Sequence, residues 1–154
     1  MPANYNEMKE AAMYVSGGKG FDNNTSPQSL AFDWLFYEGN PSTNLLEFFE
    51  QYAVSVLYFS LTQARTSFAD TNREVVFDEW TKTKEICGWQ GVRCAFNYTS
   101  EMVHVTDIIL SNTNLTGTIP NEISFLPKVK RLDLSDNEVS GTVPTDVYGM
   151  KRLR

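Results

Sequence analysis

A chain of 154 residues with 42% hydrophobic and 13% aromatic content is long enough for one ordinary domain with its own core, which excludes a disordered polypeptide. A net charge of −6 and a pI near 4.8 argue against a nucleic-acid partner, which calls for a basic face. The acidity is uneven: residues 1–104 carry 13 Asp/Glu against 7 Lys/Arg, whereas residues 105–154 carry 6 against 6.

Taken in chain order, MPANYNEMKEAAMYVSGG lacks the charged-then-apolar run of a secretory leader. Residues 1–25, with GGKG at 17–20 and DNNT at 22–25, are polar and glycine-bearing and read as a flexible N-terminal arm. GGKG has neither the spacing nor the following helix pattern of a phosphate loop. SPQSLAFDWLFYEGNP predicts a short helix capped by Ser26, with Pro27 at its first position. Leu30, Ala31, Trp34 and Leu35 share one face of it, and Gly39-Asn40-Pro41 stops it. A second helix starts near Asn44, with Glu47 in a capping-box-like arrangement, and runs to about Gln63. Its polar residues at 44, 47, 51, 55 and 62 predict a narrow wet stripe beside a broad buried face. Glu47, Glu50 and Gln51 interrupt its apolar run, which argues against a membrane span. ARTSFADTNRE reads as a polar loop, and VVFDEW leads through TKTKEI to Cys87 and Cys94, the only two cysteines.

From residue 105 the texture becomes a repeat with a period of 24: VTDIILSNTNLTGTIPNEISFLPK followed by VKRLDLSDNEVSGTVPTDVYGMKR. Val105 aligns with Val129, Ile108 with Leu132, Leu110 with Leu134 and Leu115 with Val139. Gly117 aligns with Gly141, Ile119-Pro120 with Val143-Pro144, Ile123 with Val147 and Leu126 with Met150, while Leu153 opens a third unit. Matching Gly and Pro at fixed offsets make this a repeat rather than two similar helices. The pattern L-x-x-L-x-L-x-x-N-x-L is that of a leucine-rich repeat. Ile108 and Leu110 alternate inward on a short strand. Asn137 turns the chain, and its amide is expected to satisfy backbone groups of neighbouring coils. In the first repeat that position is Thr113, with Asn114 beside it, which predicts a less regular turn. Gly117 and Gly141 supply backbone angles closed to other residues, and Pro120 and Pro144 suit an edge or a bend. Since one coil cannot bury its own apolar face, coils stack. Further repeats, or a partner, are expected to cover the open C-terminal end of the stack.

The cysteine pair admits three readings from its residues. A zinc site needs about four ligands, and the chain offers two Cys and the lone His104. A redox pair calls for C-x-x-C in a thioredoxin-like setting. A structural disulfide is the third.

Here the residues carry a resemblance. Cys87-x-Trp89-x-Gly91-Val92-x-Cys94 resembles the C-x-W-x-G-V-x-C signature closing the N-terminal cap of plant-type leucine-rich-repeat proteins. NLTGTIP and EVSGTVP resemble the plant-specific repeat that follows it, and the likeness spans about residues 26–154. SPQSLAFDWL, EQYAVSVLYFSLT and a following tryptophan, Trp80, are similar to the version seen in diatom and other stramenopile leucine-rich-repeat proteins. The resemblance implies an α/β fold: a right-handed solenoid of short parallel strands behind an α-helical N-terminal cap. On that reading residues 26–104 are the cap, and residues 105–154 are two plant-type repeats and the start of a third. It also implies a Cys87–Cys94 disulfide shielding the first coil, and an extracellular or membrane-tethered, receptor-like parent. An eight-residue disulfide loop is worth ~2–2.5 kcal/mol by loop entropy.

Catalytic chemistry is thin. A single histidine gives a poor basis for acid–base or triad catalysis, and His104 reads as a residue entering the first strand. Asp133, Asp136 and Glu138 read as a solvated strand and turn rather than a calcium site. No cofactor is called for. Glycosylation sequons stand at Asn23, Asn24, Asn97 and Asn114, with Asn97, in the loop after Cys94, the best placed and Asn114 partly buried in a turn. The expected binding face is the concave strand surface. It is formed by Thr106, Asp107, Ile109, Ser111 and Asn112 of the first coil and Lys130, Arg131, Asp133, Ser135 and Asp136 of the second. Its mixed charge suits a protein or peptide ligand. The expected function is non-catalytic recognition in a receptor-like protein. Its rivals are the ectodomain of a receptor kinase, with the enzyme in sequence beyond Arg154, and a structural cell-surface scaffold.

Overall fold

The computed structural model describes residues 5–62, 80 and 83–154. The expected loop 64–74 and most of the lead-in to the cysteines lie outside the described residues.

Residues 5–15 form a helix where the sequence predicts a flexible arm. This helix, α1 (Tyr5–Val15), buries Met8, Ala11, Ala12 and Val15. Those four recur at helical spacing, and two are alanines that let the helix approach closely. Asn6, Glu7 and Glu10 face water between them and hide the stripe from a reading by composition. Gly17 and Gly18 close it with positive φ: the Gly18 amide donates to Met13 O and the Gly17 amide to Tyr14 O, a Schellman ending.

Helix α2 (Pro27–Tyr37) starts as expected, with Ser26 Oγ accepting the Ser29 amide at 3.1 Å. Ala31, Phe32 and Leu35 are its buried apolar residues, and Trp34 is half-buried. Helix α3 (Leu45–Thr62) is capped by Asn44 Oδ1, which accepts the Leu46 amide at 2.9 Å. Glu47 does not complete the box, because its carboxylate accepts from Ser42 Oγ at 2.6 Å instead. The wet stripe is narrower than predicted: Ser55 is fully buried, its hydroxyl donating back to Gln51 O at 2.8 Å. The helix is apolar nearly all round because it is covered twice. Phe48, Tyr52 and Val56 pack with α1 and α2, while Ala53, Val54, Leu57 and Leu61 pack with the repeats. Among the described residues no helix is long and apolar enough to cross a membrane.

After the disulfide segment, β1 (Val92–Asn97) and β2 (Met102–Ile109) form an antiparallel hairpin with an irregularity at Arg93/Cys94, where Thr106 is the extra residue. β2 then pairs in parallel with β4 (Arg131–Asp133): Asp107 lies beside Arg131, Ile108 beside Leu132 and Ile109 beside Asp133. A second parallel ladder joins β3 (Thr116–Thr118) to β5 (Glu138–Ser140), with Gly117 beside Val139. Pro120 and Pro144 each precede a 3₁₀ turn, Asn121–Phe125 and Thr145–Gly149. The period of 24 read in the sequence is thus the offset between paired residues of β2 and β4.

The two coils differ in burial for a simple reason. Ile108, Leu110, Leu115, Ile123 and Leu126 are at most 2% exposed because α3 lies on one side of them and the second coil on the other. Among the described residues, Leu132, Leu134, Val139, Val147, Met150 and Leu153 pack against that cluster from the second coil alone and are half-buried. Gly117 sets how near α3 comes: its φ is +95°, and a Cβ there would stand 2.1 Å from Ser60 O. Ser60 Oγ donates to Thr118 O at 2.6 Å across the same contact.

Candidate interaction surface

The strand face is assembled by register. Asp107 and Ile109 on β2 stand beside Arg131 and Asp133 on β4. Arg131 Nη2 donates to Asp133 Oδ2 at 2.7 Å, and Ser135 Oγ donates to Asp133 Oδ1 at 2.6 Å. These bonds, that from Ser135 foremost, hold the Asp133 carboxyl below the usual carboxylate range. The face therefore neutralises part of its own charge. Thr106 Oγ1 is drawn to Arg93 O and Asp107 Oδ2.

The ten residues predicted for one concave face divide among three places. Asp107, Ile109, Arg131 and Asp133 form the strand surface, with half-buried Ser111 and exposed Ser135 beyond it. Asn112 and Asp136, both at positive φ, lie in the following turns. There Asn112, Asn114, Asp136, Asn137 and Glu138 line a shallow polar recess. Thr106 and Lys130 belong instead to a cavity of about 330 Å³ on the flank, lined also by His104, Phe96 and Tyr98.

Asn137 does what its position requires. Its Nδ2 donates to Leu110 O, Leu134 O and Ser135 O at 2.6, 2.9 and 3.1 Å. Its Oδ1 accepts the amides of Thr113 and Leu115, both at 3.0 Å. Thr113, at the equivalent place in the first coil, makes one such bond itself, from Oγ1 to Leu110 O at 2.7 Å.

Cys87 and Cys94 are joined as a disulfide with Cα atoms 5.7 Å apart. The aromatic residues around them knit the segment to the helices. Trp80 stacks on Trp89 at 4.8 Å, and Trp89 meets Trp34 edge-on at 5.3 Å. The indole N–H groups donate to backbone carbonyls, Trp80 to Gln90 O at 2.7 Å and Trp89 to Thr83 O at 3.0 Å.

A buried polar network went unread in the sequence. Glu50 on α3 and His104 on β2 are 4% and 5% exposed. His104 Nδ1 lies 2.5 Å from Glu50 Oε1, Ser100 Oγ lies 2.9 Å from His104 Nε2, and the Val105 amide donates to Glu50 Oε2 at 2.9 Å. The signal was available: a carboxylate in an apolar helix demands a partner, and the chain has one histidine. The network ties α3 to the β1–β2 hairpin, so His104 has a bonded structural place rather than merely entering a strand.

Among the sequons, Asn23, Asn24 and Asn114 are exposed, and Asn97 is half-buried. Asn97 ends β1 rather than lying in a loop, and its Oδ1 accepts the Thr99 amide at 2.9 Å. Asn114 is exposed rather than partly buried as expected, with its backbone at φ +55°.

Residues 104–126 and 128–150 match the Leucine Rich Repeat family. The chain is similar to Receptor-like kinase TMK4 of Arabidopsis thaliana, 33% identical over 99 residues, covering 58% of this chain and 10% of that protein. It is similar to Receptor-like protein kinase 7 of the same plant, 29% identical over 128 residues, covering 74% of this chain and 12% of that one. Among solved structures it resembles the LRR ectodomain of the receptor kinase SOBIR1 from Arabidopsis thaliana, at 26% identity and a TM-score of 0.49, covering 68% of this chain and 49% of that one. The chain spans about a tenth of the length of the curated relatives it matches. Residues 104–126 and 128–150 thus match leucine-rich repeats, in a chain similar to plant receptor-like kinases.

Proposed function

We propose that this chain is the N-terminal part of a receptor-like leucine-rich-repeat protein and works as a non-catalytic module that recognises a protein or peptide. In this reading residues 26–104, with α1 added, form an α-helical cap, and residues 105–154 form two coils of a right-handed solenoid and the start of a third. Further repeats or a partner cover the half-buried apolar end presented by Leu132, Val139, Val147 and Met150. The module works outside the cell or tethered to its membrane, with Asn97, Asn23, Asn24 and Asn114 as glycan carriers. The likeness of the α3 segment to stramenopile proteins belongs to the same reading.

The observation that supports it best is the in-register pairing of β2 with β4. That pairing sets Asp107, Ile109, Arg131 and Asp133 side by side on an accessible strand surface. A side-chain array fixed by backbone register is preorganised for binding. The test is peptide display against the whole chain, followed by affinity measurement on Asp107→Lys/Asp133→Lys and on Asp146→Lys, which lies in the distal 3₁₀ turn. Selected binders are expected to lose about tenfold with the first variant and to ignore the second. Binders indifferent to both would overturn the strand-face assignment. A second reading, the ectodomain of a receptor kinase, is favoured by the receptor-like kinases among the relatives. Transcript sequence past Arg154 tests it, through the presence or absence of a membrane helix and kinase motifs.

A further inference from the structure

The acidic excess of the chain conceals a local reversal. The 24-residue period places His104, Lys128 and Arg152 at one coil position, and Thr106, Lys130 and Arg154 two residues later. The backbone enforces that alignment: the Lys130 amide donates to Thr106 O at 2.7 Å, and the Arg154 amide to Lys130 O at 2.9 Å. Neighbouring strands lie ~4.8 Å apart, so equivalent side chains stand in a column.

Lys128, Lys130 and Arg152 accordingly share the flank cavity of about 330 Å³. Among the described residues the ion pairs are Glu50–His104 and Arg131–Asp133, so none of these three cations has a carboxylate within ion-pair distance. Three like charges around one small cavity repel each other, and an anion seated between them would relieve that repulsion. The same cavity is lined by two exposed aromatic residues. Phe96 and Tyr98 are 49% and 87% exposed, and their rings meet edge-to-face at 5.0 Å. An uncovered aromatic pair lining one cavity with unpaired cations has the composition of a binding hot spot.

We propose that this flank cavity is the docking site for a short acidic peptide segment, with Asp or Glu side chains reaching Lys128, Lys130 and Arg152 and an apolar residue against Phe96 and Tyr98. The proposal rests on the reading of the chain as a peptide-recognition module, and it adds the chemical class of the ligand and where it is anchored. An extended peptide repeats its same-side residues every ~6.8 Å. Flexible lysine and arginine stems span the difference from the coil spacing. The ligand is short because the cluster is small: three cations share one cavity, in a chain whose net charge is −6 and whose acidic excess lies in residues 1–104. The strand face carries Asp107 and Asp133 against the single Arg131, which already pairs with Asp133, so it competes weakly for such a ligand.

The experiment uses the oxidised full chain and fluorescence anisotropy with a dye-labelled nonapeptide of alternating Glu and Tyr, and the same peptide with Gln for Glu. The Glu peptide is expected to bind about tenfold tighter than the Gln peptide, and to weaken steadily as salt rises through the physiological range. Lys128→Glu/Arg152→Glu is expected to weaken it by about tenfold or more, Lys128→Arg/Arg152→Lys to retain it, and Arg131→Glu to change it by less than about twofold. Circular dichroism confirms that each variant is folded. Equal binding of the Glu and Gln peptides, or binding unaffected by the charge reversal, overturns the proposal. So does an oligogalacturonate that binds as tightly as the Glu peptide, since it would reassign the site to polysaccharide. A display-selected peptide that depends on Asp107 and Asp133 but ignores the charge reversal overturns the acidic-peptide site and leaves the recognition reading in place.

Discussion

The side-chain amide of Asn137 donates to the carbonyl of Leu110 at 2.6 Å, 27 residues earlier in the chain and one coil away. The same amide serves Leu134 O and Ser135 O, and its oxygen takes the Thr113 and Leu115 amides. One side chain therefore satisfies turn backbone in two coils. Asn137→Ala leaves several of these groups without partners and is expected to cost about 3 kcal/mol in urea unfolding. Asn137→Asp keeps the acceptor and loses the donors, so it should fall between. A loss below about 1 kcal/mol for the alanine variant would show that water replaces the amide at no penalty.

Glycines at positive φ separate clash from strain. Gly117→Ala at φ +95° pushes a Cβ to 2.1 Å from Ser60 O, so α3 or the first coil must shift. Gly18→Ala at φ +75° meets nothing within 4 Å. The second substitution should cost about 1 kcal/mol of backbone strain, and the first at least about 3 kcal/mol. Equal costs would mean that the α3–β3 contact yields easily.

The Glu50–His104 pair is buried, so removing one partner should cost more than removing both. Glu50→Ala is expected to lose about 3–5 kcal/mol, because it orphans His104 Nδ1 and the Val105 amide. Glu50→Leu/His104→Leu should recover much of that loss, while Ser100→Ala, at an exposed position, should cost under about 0.5 kcal/mol. A double-mutant cycle reads the coupling, and strictly additive losses would sink this account.

Burial pushes the Tyr52 phenol well above its ordinary value, against the opposing bond from Ser16 at 2.8 Å. The folded state keeps the proton longer than the unfolded chain does. The stability this group contributes is thus complete below the unfolded value of about 10, and declines as pH rises above it. Tyr52→Phe should be about 1 kcal/mol less stable than the parent near neutrality, for want of the Ser16 bond, and the gap should shrink by roughly 1.4 kcal/mol per pH unit above 10. Denaturant titrations at several alkaline pH values check the sign. A constant gap would contradict it.

Closing the Cys87–Cys94 loop should contribute about 2.5 kcal/mol. Cys87→Ser/Cys94→Ser is expected to unfold at correspondingly lower urea, with Trp89 fluorescence reporting the loosened segment. Reduction of the parent should reproduce the shift, and intact mass with and without reductant verifies the redox state.

The repeat was legible because its period is carried by several kinds of residue at once. Gly117 with Gly141, Pro120 with Pro144 and Leu110 with Leu134 all point to one offset, and the β2–β4 pairing uses it. Helix α1 was not legible, since Met8, Ala11, Ala12 and Val15 make a stripe too thin to stand out among polar neighbours, and only α2 and α3 supply the surface that makes it worth burying. The Glu50–His104 contact joins residues 54 apart, a distance over which local pattern carries no information. The ten-residue strand face was only partly legible, because the extra residue at Thr106 displaces alternation within β2, and Thr106 lines the flank cavity together with Lys130.

That irregular hairpin also gives the assembly a polarity. β1 occupies one edge of β2 in antiparallel fashion, so the edge a preceding coil would need is already filled. Units can accrete only on the β4 side. An array lengthened by duplicating a 24-residue unit therefore grows away from the helices and leaves their packing untouched, however many units are added.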